Sequence, residues 1–190
     1  ADVSGLYTIN VHFGNITSST KIKVTDRDIK RDIVQLGTGD VFDKHTSDAW
    51  FFEGVDGKDY GVSGTFFDGQ AYFWDVSDPT NITKVDSIKV DARIVNDVKV
   101  SEDSKICVIT KEGASNRKNG FVILDISNPS DVKVLSDYTD GLTGGVHNVF
   151  IDNNHVYALN AFGNPAKFEV VNIEDPKNPK GVGKFELELG

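Results

Sequence analysis

The stretch Gln70-Ala71-Tyr72-Phe73-Trp74-Asp75-Val76-Ser77-Asp78-Pro79 returns twice along the chain. The copies are Gly120-Phe121-Val122-Ile123-Leu124-Asp125-Ile126-Ser127-Asn128-Pro129 and Lys167-Phe168-Glu169-Val170-Val171-Asn172-Ile173-Glu174-Asp175-Pro176. Each is a short apolar run, an Asp or Asn, one apolar residue, two polar residues and a proline. Such a run reads as a buried strand closed by a rigid turn. Pro79, Pro129 and Pro176 stand 50 and 47 residues apart, and strand-built units at that period predict propeller blades.

The flanks fill in each unit. Before and after the first copy lie Ala49-Trp50-Phe51-Phe52, the alternating run at 59–64, and an outer strand over 82–88; Asp56-Gly57 and Asp68-Gly69 mark the hairpin turns between them. The second unit repeats the order at 96–100, 105–110, 120–126 and 132–135, and the third at 147–151, 155–159, 168–173 and 181–185. The predicted fold is therefore all-β, with three four-stranded blades over 47–190, divided as 47–91, 92–145 and 146–190. Propellers close with four to eight blades. Three leave two end faces without a cover, so the propeller is expected to be partial or completed by an oligomer.

By this alignment the chain resembles the LVIVD-repeat β-propellers, whose third strand ends in an apolar run, Asp, an apolar residue and a Ser-Asp-Pro or Ser-Asn-Pro turn. The third copy departs, with Asn172 for the aspartate and Glu174 for the serine, while Pro176-Lys177-Asn178-Pro179 restores a double-proline form. His147-Asn148-Val149 resembles the His-Asn inner strand of surface-anchored members. The resemblance implies the fold and an exported or cell-surface setting, and carries no assigned catalytic activity. Trp74-Asp75 imitates the ending of a WD repeat, but the Ser-Asp-Pro that follows fits the LVIVD pattern better.

Residues 1–27 stand outside the repeat. Tyr7 follows an Asp and a Gly and opens an alternating run, Gly14-Asn15 supplies a turn, and Thr20-Lys21-Ile22-Lys23-Val24 alternates again. The segment resembles the last hairpin of an immunoglobulin-like sandwich, tyrosine corner included. Residues 28–46 read as a charged linker or an edge strand, with one apolar island at Ile33-Val34-Gln35-Leu36. The chain starts at Ala1 and contains no methionine; part of a longer polypeptide is the expected origin.

Composition narrows the function. A net charge of −9 disfavours nucleic acid, whose binding requires a basic surface, and no apolar run is long enough to insert in a membrane. The single cysteine, Cys107, excludes an internal disulfide and reads as a small buried strand residue. Gly-x-Ser-x-Gly, phosphate-loop and Cys-x-x-Cys motifs are missing, and no cofactor is expected.

Several residues remain candidates for a site. Ser47-Asp48, Asn96-Asp97 and His147-Asn148 open the three inner strands and converge at one mouth of the channel. There they either bind a small polar ligand or a cation, His147 foremost, or satisfy backbone groups at the channel edge. His12, His45 and His155, placed on the hairpin, in the linker and in a turn, lack metal-ligand spacing. Asp26, Asp28 and Asp32 are candidate Ca2+ ligands. Asn15 and Asn81 head Asn-x-Thr sequons for glycans. Asp75, Asp125 and Asn172, each with its proline at 79, 129 or 176, read as structural turns whose side chain accepts backbone amides. The expected protein is an extracellular or cell-surface, non-enzymatic structural module that meets other proteins or copies of itself. The alternatives are a ligand-binding or hydrolytic propeller using His147, and an intracellular WD-like scaffold that glycan on Asn15 or Asn81 would exclude.

Overall fold

Fourteen strands carry the described structure. The computed structural model describes residues 3–25, 32–41, 44–160 and 166–187, in two compact units, 1–35 and 36–190. The first is a hairpin of β1 (Gly5–Phe13) and β2 (Ile16–Val24). Its alternation puts Tyr7, Ile9, Val11 and Phe13 on one face with Ile22 and Ile16 opposite Tyr7 and Phe13, and the Tyr7 hydroxyl donates to the Val3 carbonyl at 2.6 Å. Two strands make a hairpin, and the described residues contain no sandwich for it to complete.

The second unit is three four-stranded antiparallel sheets. The first contains β3 (His45–Glu53), β4 (Asp59–Phe66), β5 (Gln70–Asp75) and β6 (Thr83–Lys89). The second contains β7 (Val98–Val100), β8 (Ile106–Lys111), β9 (Gly120–Asp125) and β10 (Lys133–Tyr138). The third contains β11 (Val146–Asp152), β12 (His155–Asn160), β13 (Ala166–Asn172) and β14 (Lys180–Leu187). Each sheet runs in sequence order from inner to outer strand, the up-and-down blade that short turns permit.

Two cores bind the blades. Between the first and second, Val62, Phe73 and Ala71 pack on Val98, Cys107, Ile109 and Leu124; between the second and third, Val108, Phe121 and Ile123 pack on Val149, Val156 and Val171. Period-2 alternation makes this double use possible, because the middle blade presents Cys107 and Ile109 to one neighbour and Val108 to the other. Ile94 bridges Phe66 and Glu112 where the chain crosses between blades.

The repeated turn is built from side-chain acceptors. Asp75 Oδ1, Asp125 Oδ1 and Asn172 Oδ1 accept the amides of Ser77, Ser127 and Glu174 at 3.0, 2.9 and 3.0 Å. A second acceptor follows three residues later: Asp78, Asn128 and Asp175 receive the amides of Thr80, Ser130 and Lys177 at 2.9, 3.1 and 3.1 Å. Both are Asx turns, and the loop to the outer strand is thereby fixed twice.

Some elements depart from the expectation. Residues 33–36 belong to no strand, and a Cβ at Gly39 would meet the Trp74 ring at 3.0 Å, so this end of the predicted linker lies against the first blade. His45 begins β3, where a linker was expected, and His155, placed in a turn by the sequence, is the first residue of β12, the strand expected over 155–159. The inner strand of the second blade begins at Val98, two residues late. The amides of Asn96 and Asp97 go to Thr110 Oγ1, both at 2.9 Å, while the Asp97 carbonyl still accepts the Thr110 amide at 3.0 Å, so a side chain takes over half of the ladder there.

Candidate functional site

The residues that open the inner strands meet, and they meet as a clasp between blades. Ser47 Oγ donates to the Val95 carbonyl at 2.5 Å, and Asn96 Nδ2 donates to the His147 carbonyl at 2.9 Å. One residue on, Asp48 Oδ2 accepts the Val98 amide at 3.4 Å and Asp97 Oδ2 accepts the Val149 amide at 2.7 Å. In each junction a polar side chain of one blade reaches a carbonyl of the next, and a carboxylate of that blade receives an amide of the next. The carboxylate-to-amide bond recurs at equivalent positions, although the Val98 amide is shared with Asp97 Oδ1 at 3.1 Å, and the carbonyl that accepts lies one position later in the second junction.

Lys99 sits at the centre. Its Nζ donates to Asp48 Oδ2 at 2.8 Å and to Asp97 Oδ1, and lies 5.0 Å from the Trp50 ring centroid. Burial opposes its charge, but the hydrogen bonds to Asp48 and Asp97 win and raise its pKa, so it stays an ammonium. Burial also works on Asp48, yet Asp97 and Lys99 hold that carboxyl at about 2. Asp97, 3% exposed, is shifted upward by burial and then by the Asp48 carboxyl. The ammonium therefore occupies the place that a bound cation would take between these two carboxylates.

His147 and Asn148 stand at the far side. His147 Nδ1 lies 3.2 Å from Glu112 Oε1, with the imidazole side chain 56% exposed and the glutamate 12%. Asn148 Nδ2 reaches back to Asp97 Oδ2 at 3.5 Å. All six residues singled out at the mouth, Ser47, Asp48, Asn96, Asp97, His147 and Asn148, thus take part in the joints between blades. Lys99 and Glu112 belong with them, and the sequence reading missed both. Lys99 follows the Asn96-Asp97 pair by two positions, which is the one signal that could have found it; Glu112 comes from the end of another strand.

The remaining candidates lie elsewhere. Asp32 is exposed, while Asp26 and Asp28 lie outside the described residues; among the described residues no group of three or more His, Cys, Asp or Glu is placed to hold a metal. Asn15 and Asn81 are both exposed in turns. Cys107 is buried and burial pushes its thiol pKa up. Among the described residues no helix is long and apolar enough to cross a membrane.

Comparison with known proteins adds to this geometry. Residues 115–140, the third and outer strands of the second blade, match the LVIVD repeat family; the chain carries an LVIVD repeat in a propeller-like fold. No curated protein sequence matches the chain. Among solved structures it is similar to a hypothetical selenium-binding protein from Sulfolobus tokodaii, at 12% identity and a TM-score of 0.60, over 75% of this chain and 38% of that one. It is also similar to a candidate 6-phosphogluconolactonase from Bacteroides uniformis, at 13% identity and a TM-score of 0.63, over 95% of this chain and 48% of that one. The chain spans less than half the length of either. At such identity the likeness concerns the fold alone.

Proposed function

We propose that the chain is a non-enzymatic interaction module of an extracellular or cell-surface protein, a run of blades that joins other proteins through its faces. One observation carries the reading: the polar atoms at the channel mouth are engaged in blade-to-blade bonds, Asp97 with Val149, Lys99 with Asp48, Asn96 with His147. Groups so engaged serve as structural joints. Exposed apolar residues on the outer blades, Phe51 at 68% and Phe150 at 55%, supply contact surface of the kind partners use. The exposed sequons at Asn15 and Asn81 support an exported setting. Intact mass of the protein from its native source tests it. Glycan mass at either asparagine is expected, and an unmodified protein recovered from the cytosol would overturn the surface assignment.

A second reading rests on the His147 and Glu112 pair, an imidazole on a carboxylate at the channel mouth and open to solvent. It makes the mouth a small-ligand or hydrolytic site. Replacing His147 by alanine then abolishes binding or turnover of the ligand concerned, whereas in the interaction-module reading it changes neither.

A further inference from the structure

Blade equivalence shows what the two end faces of this array are shaped for. On the inner strands, Ala49 and Phe51 occupy the positions of Val98 and Val100, and of Val149 and Ile151. Val98, Val100 and Val149 are buried and Ile151 packs on the second core, each facing the preceding blade. Phe51, in the same place on the first blade, is 68% exposed. At the other end, Phe150 occupies the position of Trp50, which packs against the core toward the following blade; Phe150 is 55% exposed. The first blade thus presents an incoming face and the third an outgoing face.

The two faces match in relief. The incoming face is hollow on its inner half, a cavity of about 280 Å³ lined by Ala49, Phe51, Gly61 and Ser63 and bounded on its outer side by Trp74, Ile82 and the chain's own Gly39. The outgoing face projects Phe150, Leu159 and Phe185, all about half exposed. The clasp has a free half at the outgoing end as well. Asn148 holds the position of Asp48 and Asp97, and its Oδ1 is the acceptor type that receives the next inner-strand amide. Asp48 and Asp97 share the one lysine, Lys99; its equivalents on the other blades are Trp50 and Phe150. A third carboxylate would find no cation, and position 148 carries a neutral amide.

We propose that a second copy of this chain docks head to tail, the outgoing face of each third blade on the incoming face of the other copy's first blade. Two such junctions close a ring of six blades, inside the range that propellers adopt. The junction continues the contact already made twice within the chain, with Asn148 Oδ1 receiving the Ala49 amide of the other copy and Phe150 meeting that copy's Phe51, as Trp50 lies beside Val100 at the first junction. A heterologous contact of this kind either closes or runs on as a filament, and the inference deepens the interaction-module reading by naming the partner.

Sedimentation of the full chain tests it, alongside the exposed-site variants Phe150→Asp and Phe51→Asp, whose circular dichroism should equal that of the unaltered chain. The unaltered chain is expected at twice 20.8 kDa and each variant at the single mass. Mixing the two variants restores a dimer, because one of the two junctions is then intact. A chain carrying Ala49→Cys and Asn148→Cys, oxidised, gives a covalent species of twice the chain mass under denaturing conditions. The buried Cys107 does not compete. A monomer at every concentration overturns the inference, including one in which residues 49–51 are protected from amide exchange by some other cover. Loss of the dimer with only one of the two aspartate variants overturns it in favour of a symmetric face-to-face contact, and a ladder of cross-linked species overturns closure. A glycosylated monomer would defeat the junction and leave the surface reading intact; an unglycosylated cytosolic dimer would do the reverse.

Discussion

At the residue scale the clasp sets the expectations. Removing Asp97 leaves the Val149 amide without its acceptor and takes one carboxylate from Lys99. Asp97→Ala should cost about 3 kcal/mol, as for a buried pair deprived of one partner. Asp48 is far more exposed, and Lys99 keeps Asp97 when it is lost; Asp48→Ala should cost about 1 kcal/mol. Urea midpoints of the two variants measure the difference. The acid response follows from the same groups. Amides of Ser77 and Ser115 depress Asp75 and Asp91, as Asp97 and Lys99 depress Asp48. A carboxyl depressed on folding stabilises above its unfolded pKa, and that contribution is lost as the pH falls through the folded value. Asp97, raised, acts in the opposite sense: its contribution is present at low pH and lost as the pH rises. The depressed groups outnumber it, so the melting temperature should decline between about pH 5 and pH 2. A melting temperature that holds or rises on acidification would refute that balance. Little of this was legible in the sequence, which could mark Asp97 as polar and well placed but not show that its partners were an amide 52 residues away and a lysine two residues on.

At the scale of the element the turns and their neighbours decide. Gly120 opens β9 with φ at +150°, and a Cβ there would stand 2.0 Å from the Tyr138 carbonyl. Gly120→Ala therefore combines backbone strain with a clash that the β9 and β10 ladder cannot relieve, and roughly 2–4 kcal/mol is expected on thermal or urea unfolding. The strands and their closing turns were readable because alternation, Asp-Gly pairs and the repeated Asp and proline are local signals. What escaped was non-local. The second Asx acceptor at Asp78, Asn128 and Asp175 was overlooked although it repeats as faithfully as the first. The late start of β7 depends on Thr110 from the neighbouring strand, and the short apolar island at 33–36 offered strand composition without a ladder to join.

At the scale of the molecule the middle blade is the keystone, since both cores pass through it. Cys107 reports on that arrangement: it is wholly buried in the first core and its thiol is held protonated. Its reaction with a thiol reagent should follow global unfolding, with a native half-life far longer than that of the denatured chain; prompt labelling in the native state would show that the first two blades part locally. The three-blade order was legible from the repeat because each period writes its own strands. The fit between end faces was not, because it depends on which side each alternating residue takes. The clasp also bears on how such a chain can lengthen. A tandem duplication in frame of residues 92–145 would add a blade that brings its own Asn96, Asp97 and Lys99 to meet the amide that its predecessor offers. Growth by whole periods thus keeps the clasp residues in register, whereas an insertion between Asn96 and Lys99 would part the residues that one joint brings together.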